Sequence, residues 1–569
     1  MANWKIKEGS DYKNPENLSV HPLILKILSQ KGIGTDEGIN NFLNPDYERD
    51  THDPFLFLEM EKAVKRIKQA REKKEKVAIF GDYDADGVTS TAIIKETLDE
   101  IGISSFIYIP DKKIEGYGMN TGAVNDFRQK EVKLIITVDC GISNAKEIEE
   151  AESCGINVII IDHHHIPKQL PRACAIINPQ MKNSGYPSKI LAGVGVTFKV
   201  VQAIYETFLP EKKEQLKWLL DIVAIGTVAD CVPLLGENRV LVKYGLIVLS
   251  KTRRIGLREI FSVARLLIDE NNIPNTYNIS FQIAPRINSA GRMDHANTAY
   301  NLVREKSQVK ARELALELES NNQQRQKVTE KVVEEVKILA ENSFKDKKLI
   351  FAVGEHFPIG VVGLVAGKVS EIFMKPAAVL QKGEKESQGS FRSIPQVNII
   401  EAIEKCSEYL IKFGGHAQAA GIKIANENLE KFYEKLNSII EKELEGKDIS
   451  PEIEIDAEIN LDKIDFQLIE GLQKMEPFGE GNRQPVFLSR NLTVNEATLV
   501  GNGEKHLKLF LRSENNSPKI YEAIGFNFAG QFRNIKPGDK IDAVFNVEED
   551  EWNGSKKIQL KLIDMKKIN

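Results

Sequence analysis

The chain has 569 residues, which is enough for about three or four domains. Hydrophobic residues make up 42% of it and charged residues 28%, as is typical of globular proteins with apolar cores. The formal net charge of −5 excludes a chain that is basic throughout, so any surface for an acidic polymer must be local. Five dispersed cysteines without CxxC spacing argue against a disulfide framework or a zinc ribbon. No apolar run approaches the roughly 20 residues of a membrane span, so we expect a cytoplasmic protein without a membrane segment.

The sequence of the amino-terminal half predicts a short helical segment, followed by a domain built on a parallel sheet. Within residues 1–55, apolar side chains recur at the spacing of an amphipathic helix. Within residues 56–302, β-branched runs alternate with helical stretches, which is typical of a parallel sheet covered on both faces. The predicted strands are Val77–Phe80, Phe106–Ile109, Leu134–Val138 and Val158–Ile161, and the predicted helices include 89–100 and 211–230.

The carboxy-terminal half predicts three further parts. Residues 303–345 are rich in charged and helix-forming residues without proline or glycine, which predicts a long helix that connects two domains. A charged, solvated helix with no connecting role is the plainer alternative. Residues 346–448 return to the α/β pattern, and short strands separated by turns over 449–569 predict a small antiparallel barrel. The expected fold class is therefore α/β with a carboxy-terminal barrel.

Three carboxylates follow the first predicted strand, in the segment DYDADG at 82–87. Like charges as close as those of Asp82, Asp84 and Asp86 would force protonation unless a cation lies between them. An acidic surface turn and a calcium loop are the alternatives to a catalytic metal site. The calcium loop of an EF-hand is excluded because it needs a glutamate at its twelfth position, where this chain has Ile93.

Further acidic residues and histidines lie at the ends of other predicted elements. Asp139 ends the third strand, Asp162 and His163 follow the fourth, and Asp230 ends the predicted helix at 211–230. Taken singly, each is also compatible with a helix cap or a polar loop. Because ligands bind at the carboxyl ends of the strands in open α/β sheets, we expect these side chains to converge there. Aspartates and a neutral imidazole suit two divalent cations about 3.5–4 Å apart, with Asp139 as the candidate bridging ligand.

Taken together, these motifs resemble the DHH phosphoesterase superfamily. The segments DYDADG, TVDCG, DHHH and GTVAD occur in that family's order and at compatible spacing. Three more resemble its single-strand-specific exonuclease branch: IEGYG at 114–118, PRINSAGRM at 285–293 and MEPFGEGN at 475–482. FGGHAQAAG at 413–421 resembles the DHH-associated domain of the family. The resemblance covers the chain from about residue 50 to its end. It implies a DHH catalytic domain, a connecting helix, a DHH-associated domain and an oligonucleotide-binding barrel, over 56–302, 303–345, 346–448 and 449–569.

The resemblance also implies roles for individual residues, carried over position by position. Two Mn²⁺ or Mg²⁺ ions would be held by Asp82, Asp84, Asp86, Asp139, His163 and Asp230. The residues with a catalytic role would be Asp139, His164 and His416. Contacts with the substrate would come from Lys112, Tyr117, Arg286, Asn288, Arg292, Ser390, Arg392, Gly414, Gly415 and His416. Family members often carry an arginine just before the EGYG element, whereas this chain has Lys112 and Lys113, and lysine lacks the planar fork of arginine.

The implied activity is hydrolysis of single-stranded DNA from its 5′ end to 5′-mononucleotides, in recombination and repair. A phosphodiesterase for short oligonucleotides or cyclic dinucleotides, an inorganic pyrophosphatase and an inactive DNA-binding scaffold are the alternatives. The barrel argues against small substrates, which need no such platform, and the retained acidic residues argue against a scaffold. The expected partner is single-stranded DNA, a helicase and a single-strand-binding protein are further candidates, and the expected oligomeric state is a monomer.

Overall fold

The computed structural model describes residues 2–8, 20–112, 114–116, 118–513, 518–552 and 555–568. The chain forms two compact units. The larger unit comprises Thr51–Pro233 and Glu237–Ile449, and the smaller comprises Met1–Asp50, Leu234–Gly236 and Ser450–Asn569. Within the described ranges, no helix has both the length and the apolar character needed to cross a membrane.

The first part of the larger unit contains a five-stranded parallel sheet. Its strands, in their order across the sheet, are Ser105–Tyr108, Val77–Gly81, Leu134–Val138, Asn157–Ile161 and Ala175–Ile177. Two central strands are buried along their whole length, as expected where helices cover both faces. Because all five strands run in the same direction, their carboxyl ends meet at one edge of the sheet.

Helices surround this sheet and follow it. They are Met60–Glu72, Ala85–Glu100, Thr121–Gln129, Ala145–Ser153, Gly193–Phe208, Leu220–Ala229, Gly236–Ser250, Ile255–Val263, Ala284–Met293 and Asn297–Arg304, with 3₁₀ turns at Pro54–Leu56 and Pro210–Leu219 and a π-helical segment at Asn278–Ile283. The predicted helix at 211–230 is therefore wrong in its first half. That half begins at a proline and forms a 3₁₀ helix, and the α-helix starts only at Leu220.

A 36-residue helix, Gln308–Ser343, connects the two halves of the larger unit. Its first half buries Ala311 and Leu318 and packs against the helices that precede it. Its second half buries Val332 and Val336 in the core of the second sheet. The helix therefore belongs to both halves and is more than a solvated spacer.

The second part of the larger unit is a mixed five-stranded sheet. Its strands, in spatial order, are Leu410–His416, Ala419–Ala425, Glu386–Arg392, Ala377–Lys382 and Ile350–Gly354, and only the last two are parallel neighbours. Its α-helices are Ile359–Phe373, Ile399–Glu404 and Leu429–Leu444, and 3₁₀ turns lie at Ser407–Tyr409 and Asn426–Asn428. The segment FGGHAQAAG forms the hairpin between the first two of these strands, at an edge of the sheet.

The smaller unit contains a closed barrel. Phe487–Val500 pairs with both His506–Arg512 and Lys540–Trp552, and Tyr521–Gly525 and Ser555–Ile568 complete a five-stranded ring. This is the strand count of an oligonucleotide-binding fold. The unit's other elements are the short strands Asn3–Ile6, Glu452–Ile455 and Ala457–Glu458, the helices Pro22–Gln30, Asp36–Leu43, Tyr47–Asp50, Phe466–Lys474 and Ala529–Phe532, and a 3₁₀ turn at Leu461–Lys463.

The fold class expected from the sequence is confirmed, but two details differ. Residues 1–55 are not a separate helical lead-in, because Asn3–Ile6 pairs in parallel with Glu452–Ile455 and the following helices join the core of the barrel. The strand Ala175–Ile177 was not predicted, since three residues carry too little periodicity to be distinguished from a loop.

Candidate metal centre and phosphate site

The acidic residues of the segment DYDADG lie where the first central strand turns into a helix. Asp82 follows the strand Val77–Gly81, and Asp84 is the N-cap of the helix Ala85–Glu100. The Oδ1 atom of Asp84 accepts hydrogen bonds from the backbone amides of Asp86 and Gly87, both at 3.0 Å. An N-capping carboxylate is stabilised by the helix dipole, so the local backbone holds this negative charge in place.

Three overlapping groups of side chains could hold cations at the carboxyl edge of the sheet. Within each group the candidate ligand atoms lie within 4.8 Å of one another. The groups are Asp82, Asp84 and Asp139; Asp86, His163 and Asp230; and Asp139, His163 and His164. Nε2 of His163 lies 3.2 Å from Asp139, 3.5 Å from Asp230 and 3.9 Å from Asp86. The residues expected at four separate places in the chain thus come together.

The chemistry of these ligand atoms fits divalent cations. Asp82 Oδ1, Asp139 Oδ1 and His163 Nε2 are buried and find no hydrogen-bond partner in the described part of the chain. A buried polar atom without a partner costs roughly 1–3 kcal/mol, and a cation among these atoms would relieve that cost. Mixed carboxylate and imidazole ligands suit metals such as manganese.

Burial and mutual repulsion raise the pKa values of the crowded carboxyl groups. Burial, and then the charge of Asp84, raises the pKa of Asp86 to about 7. Burial and neighbouring aspartates raise the pKa of Asp230 to about 9 and the pKa values of Asp82 and Asp139 well above the usual range. Carboxylates that repel one another to this degree are the arrangement that bound cations neutralise.

A second helix contacts the site through its first residues. The helix Gly193–Phe208 begins against the metal motif, and the amides of Gly193 and Val194 donate to the two carboxylate oxygens of Asp86, each at 2.7 Å. Asp139 has a positive φ of 59°, and a Cβ atom at Gly193 would lie only 2.4 Å from its Oδ1. The backbone at residue 193 therefore approaches Asp139 at a distance that only glycine permits. This helix was not predicted, although the segment LAGVG at 191–195 gives a glycine-rich signal for it.

Asp162 organises the two histidines that follow it. The carboxylate is fully buried and accepts hydrogen bonds from the backbone amides of Ile142, His163 and His164. It also lies 2.8 Å from Nδ1 of His164. Burial lowers the pKa of His163 to about 4, and a hydrogen bond to the backbone of Leu191 holds its ring. Asp162 thus orients His164, and His163 points its Nε2 into the group of aspartates.

A cluster of cations lies beside the metal groups and between the two sheets of the larger unit. Burial, and then the charge of Arg292, lowers the pKa values of Lys112, Arg325 and Arg392, so these four residues lie close together. We call Lys112, Arg292, Arg325 and Arg392 the cationic cluster. None of the four forms a salt bridge in the described ranges of the chain, although the charges of Asp82 and Asp84 act on Lys112. Nε of Arg325 is buried without a partner there. Buried cations that form no salt bridge are suited to bind an anion.

The second sheet contributes to this cluster through the strand Glu386–Arg392. Ser390 Oγ and Arg392 Nη2 both face Gly363, at 3.4 and 3.5 Å from where its Cβ would lie. Nζ of Lys112 lies 4.8 Å above the ring of Tyr83, between two of the metal-motif aspartates in sequence. The aromatic face of Tyr83 therefore holds Lys112 beside the metal motif. Arg325 was not predicted, because a single arginine in a long charged helix gives no sequence signal.

The three residues of the segment at 285–293 that were expected to contact the substrate have different neighbours. Arg286 is a correction to the substrate contacts expected from the sequence, because Nε bonds to Glu319 at 2.6 Å and Nη1 to the carbonyl of Gln282 at 2.5 Å. Its guanidinium fastens the connecting helix and is not available to a strand. Oδ1 of Asn288 accepts the amide of Ala85 at 2.7 Å, so Asn288 holds the metal motif. Of the three residues, Arg292 alone joins the cationic cluster.

The hairpin at 413–421 brings His416 to the site. The rings of His165 and His416 lie 5.1 Å apart in an edge-to-face arrangement, and both the hairpin strand and His416 are exposed. Gly415 has a φ of 154°, and a Cβ there would lie 2.3 Å from the carbonyl of Ala419, so its glycine serves the close approach of the hairpin strands. Gly414 has open space around it. Tyr117, expected to stack on a base, lies outside the described residues.

Comparisons with known proteins agree with this architecture. Three family models match: the DHH family, N-terminal domain, over 76–227, the DHHA1 domain over 346–442 and the RecJ OB domain over 455–564. The single-stranded-DNA-specific exonuclease RecJ of Bacillus subtilis is 37% identical over 566 residues, which cover 99% of this chain and 70% of that protein. The protein of the same name from Haemophilus influenzae is 30% identical over 569 residues, covering 96% of both chains.

Solved structures of RecJ are similar to this chain in fold. RecJ from Thermus thermophilus in complex with Mn²⁺ has a TM-score of 0.80 at 25% identity, over 100% of this chain and 80% of that one. Its complex with Mg²⁺ has a TM-score of 0.75 at 23% identity, over 100% and 79% of the two chains, and so has the same fold. With a full-length match in sequence and in fold, the chain belongs to the RecJ family.

Proposed function

We propose that this chain is a metal-dependent exonuclease specific for single-stranded DNA, which hydrolyses the strand from its 5′ end to 5′-mononucleotides in recombination and repair. The observation that carries the proposal is that the metal-ligand groups lie beside a cationic cluster that forms no salt bridge in the described residues. A site of this kind can hold a terminal phosphate at the cluster while the next phosphodiester lies over the aspartates.

Asp82, Asp84 and Asp139 would hold one Mn²⁺ or Mg²⁺ ion, and Asp86, His163 and Asp230 would hold the other. Because Asp139 lies in contact distance of both groups, it is the residue that would bridge them. When bound, two such ions supply a water of lowered pKa and stabilise negative charge on the phosphate oxygens. The backbone amides of Gly193 and Val194 fix the carboxylate of Asp86, and the helix that follows keeps it from turning towards solvent.

The histidines would act on the phosphate and on the leaving group. Asp162 fixes the ring of His164 through Nδ1, which directs Nε2 towards the metal groups and the place of the scissile phosphate. His416 approaches from the second sheet, next to His165. Either imidazole could carry the proton that the leaving 3′-oxygen takes up. Arg292 and Lys112 would neutralise the strand at its terminal phosphate.

The barrel bears on the length of the substrate and on the partners of this chain. Single-stranded DNA is the substrate, and the oligonucleotide-binding barrel at 455–564 would add a sequence-independent grip. The barrel supports a long strand over a short oligonucleotide or a cyclic dinucleotide as substrate. We further propose a monomer that acts in the cytoplasm, with a helicase and a single-strand-binding protein as partners.

The test compares strands labelled at the 5′ or the 3′ end, single or duplex, with Mn²⁺ or Mg²⁺ present. We expect mononucleotides from the 5′ end of single strands, no release after chelation of the metal, and loss of activity in Asp139→Ala. Asp126→Ala removes a partly exposed carboxylate whose salt bridge within the described residues is with Lys130, and this matched control should keep full activity. Equal hydrolysis of duplex, release from the 3′ end or an active Asp139→Ala protein would contradict the proposal.

A further inference from the structure

Two aromatic side chains lie exposed and in contact on the larger unit, away from the site described above. Tyr277 is 60% exposed and Phe281 is 64% exposed. Their ring centroids lie 4.7 Å apart, with the planes tilted by 33°. Single exposed apolar residues are ordinary on protein surfaces, whereas adjoining exposed rings leave apolar surface in water that a ligand can cover.

The backbone beneath the two rings has an uncommon conformation. The segment Asn278–Ile283 is π-helical and continues without a break into the α-helix Ala284–Met293. π-helical turns are rare, and where they occur they are frequently at functional sites. Ile279 and Ile283 anchor the segment in the core, which leaves the rings on the outer side.

The rings lie on the same side of this helix as residues of the proposed active site. Pro285, Asn288 and Arg292 are partly exposed and follow Phe281 at steps of three or four residues, whereas the positions between them are mostly buried. Residues at these steps share one helix face. Arg292 belongs to the cationic cluster, and Asn288 bonds to the amide of Ala85 in the metal motif. A strand that follows this face therefore meets the terminal-phosphate contact first, the metal motif second and the two rings last.

We propose that Tyr277 and Phe281 form a stacking platform for bases of the single strand beyond the scissile phosphate. This inference rests on the proposed function and adds where the strand leaves the site. At the α-helical rise of about 1.5 Å per residue, at most about 16 Å of helix separates Arg292 from Phe281 and at most about 22 Å separates it from Tyr277, because the π-helical part rises less per residue. At the stacked spacing of about 3.4 Å, this corresponds to bases about five to seven from the 5′ end, and to fewer if the strand is extended.

The surroundings of the rings favour a nucleic acid over a protein partner. Asn278 and Gln282, the polar residues between and beside the rings, are uncharged and bond to each other at 2.7 Å. Uncharged neighbours do not repel phosphates, and aromatic rings can stack on any base. The platform would therefore add affinity without sequence preference. The continuous face from the cationic cluster to the rings gives the strand a path, which a docked protein would not require.

The test measures equilibrium binding of the full chain to 5′-phosphorylated strands with the metal chelated, so that nothing is hydrolysed. For a strand of about 12 nucleotides, we expect the double variant Tyr277→Ala/Phe281→Ala to bind about 5- to 100-fold more weakly. The ring-retaining variant Tyr277→Phe/Phe281→Trp should bind within about twofold of the original chain. A trinucleotide should bind equally to all three proteins, because it is too short to reach the rings.

Abasic positions give an independent measurement. Removing bases four to seven from the strand should weaken binding to the original chain by a similar factor and should cause little further loss in the alanine variant. Unchanged binding of the longer strand to the alanine variant would overturn the inference and leave the rings to a different partner. Equal losses for the trinucleotide would also overturn it, since they would indicate damage to the site. Failure of the original chain to bind any single strand would instead refute the proposed function.

Discussion

Replacing Gly193 with alanine would test how tightly Asp139 must be placed. A Cβ atom at residue 193 would lie 2.4 Å from Asp139 Oδ1 and 2.8 Å from Asp139 Cβ. Carbon atoms in contact prefer about 3.5–4.0 Å, so Asp139 or the start of the helix must move by roughly 1 Å. The amide of Gly193 also donates to Asp86 at 2.7 Å, so a shift of this helix moves ligands in both metal groups.

A displacement of about 1 Å in a catalytic group can lower the rate by about 100-fold. The strain of the added methyl should lower the free energy of unfolding by only about 1–3 kcal/mol. In Gly193→Ala we therefore expect kcat/KM for single strands to fall by roughly 100-fold, while the protein remains folded. Calorimetric titration should show weaker Mn²⁺ binding as well, which separates a displaced ligand from a general loss of stability.

Gly195→Ala is the matched control, two residues further along the same helix. A Cβ atom there would lie 3.5 Å from Leu191, which is an ordinary contact. We expect activity within about twofold of the original chain, and a free energy of unfolding unchanged or raised by about 0.4–1 kcal/mol. If Gly193→Ala keeps the original kcat/KM and Mn²⁺ affinity, the close approach of residue 193 does not determine where Asp139 lies.

Three further outcomes can be measured. Glu237→Gln leaves the fully buried Lys199 without its ion pair at 3.0 Å, so the free energy of unfolding in urea should fall by about 3–5 kcal/mol. Adding Lys199→Met should restore part of this loss, and an unchanged unfolding midpoint in Glu237→Gln would contradict the expectation. Burial and a neighbouring arginine lower the pKa of Lys112 to about 8. Affinity for a 5′-phosphorylated strand should therefore fall as the pH rises through about 8, because the lysine loses its charge. Lys112→Arg should remove this pH dependence, and the same dependence of affinity on pH in both proteins would refute the expectation. Arg325→Gln should weaken binding of 5′-phosphorylated strands by about tenfold and of 5′-hydroxyl strands much less, whereas Arg312→Gln, which breaks a surface pair with Glu259, should change neither.

The sequence predicted the metal groups because their geometry follows from the sheet. Asp82 and Asp139 each follow a buried, β-branched strand, and parallel strands place their carboxyl ends at one edge. The periodicity of these strands is strong, so all four predicted strands agree with the structure to within one residue at each end. Local pattern and global fold point to the same answer here.

The contacts around the metal groups could not be predicted in this way. The sequence cannot tell that Arg286 bonds to Glu319 while Arg292 and Arg325 form no salt bridge within the described ranges, because these arginines differ only in what the tertiary fold brings near them. The same holds for Gly193, whose role depends on an aspartate more than 50 residues earlier in the chain. Such contacts come from packing between distant segments, which single-sequence patterns do not record.

The smaller unit is assembled from both ends of the chain, and this has a consequence for how the protein is made. Asn3–Ile6 and the helices that follow find their partners only once residues beyond 450 have been synthesised. At about 5–20 residues per second, the roughly 400 intervening residues take about 20–80 s, during which Ile24 and Leu28 have no core to join. The larger unit can fold first, before the amino-terminal helices have a core to pack against. We therefore expect chains that end near residue 449 to be cleaved by proteases within 20–43 but to be protected in the larger unit, and protection of both regions would contradict this order of folding.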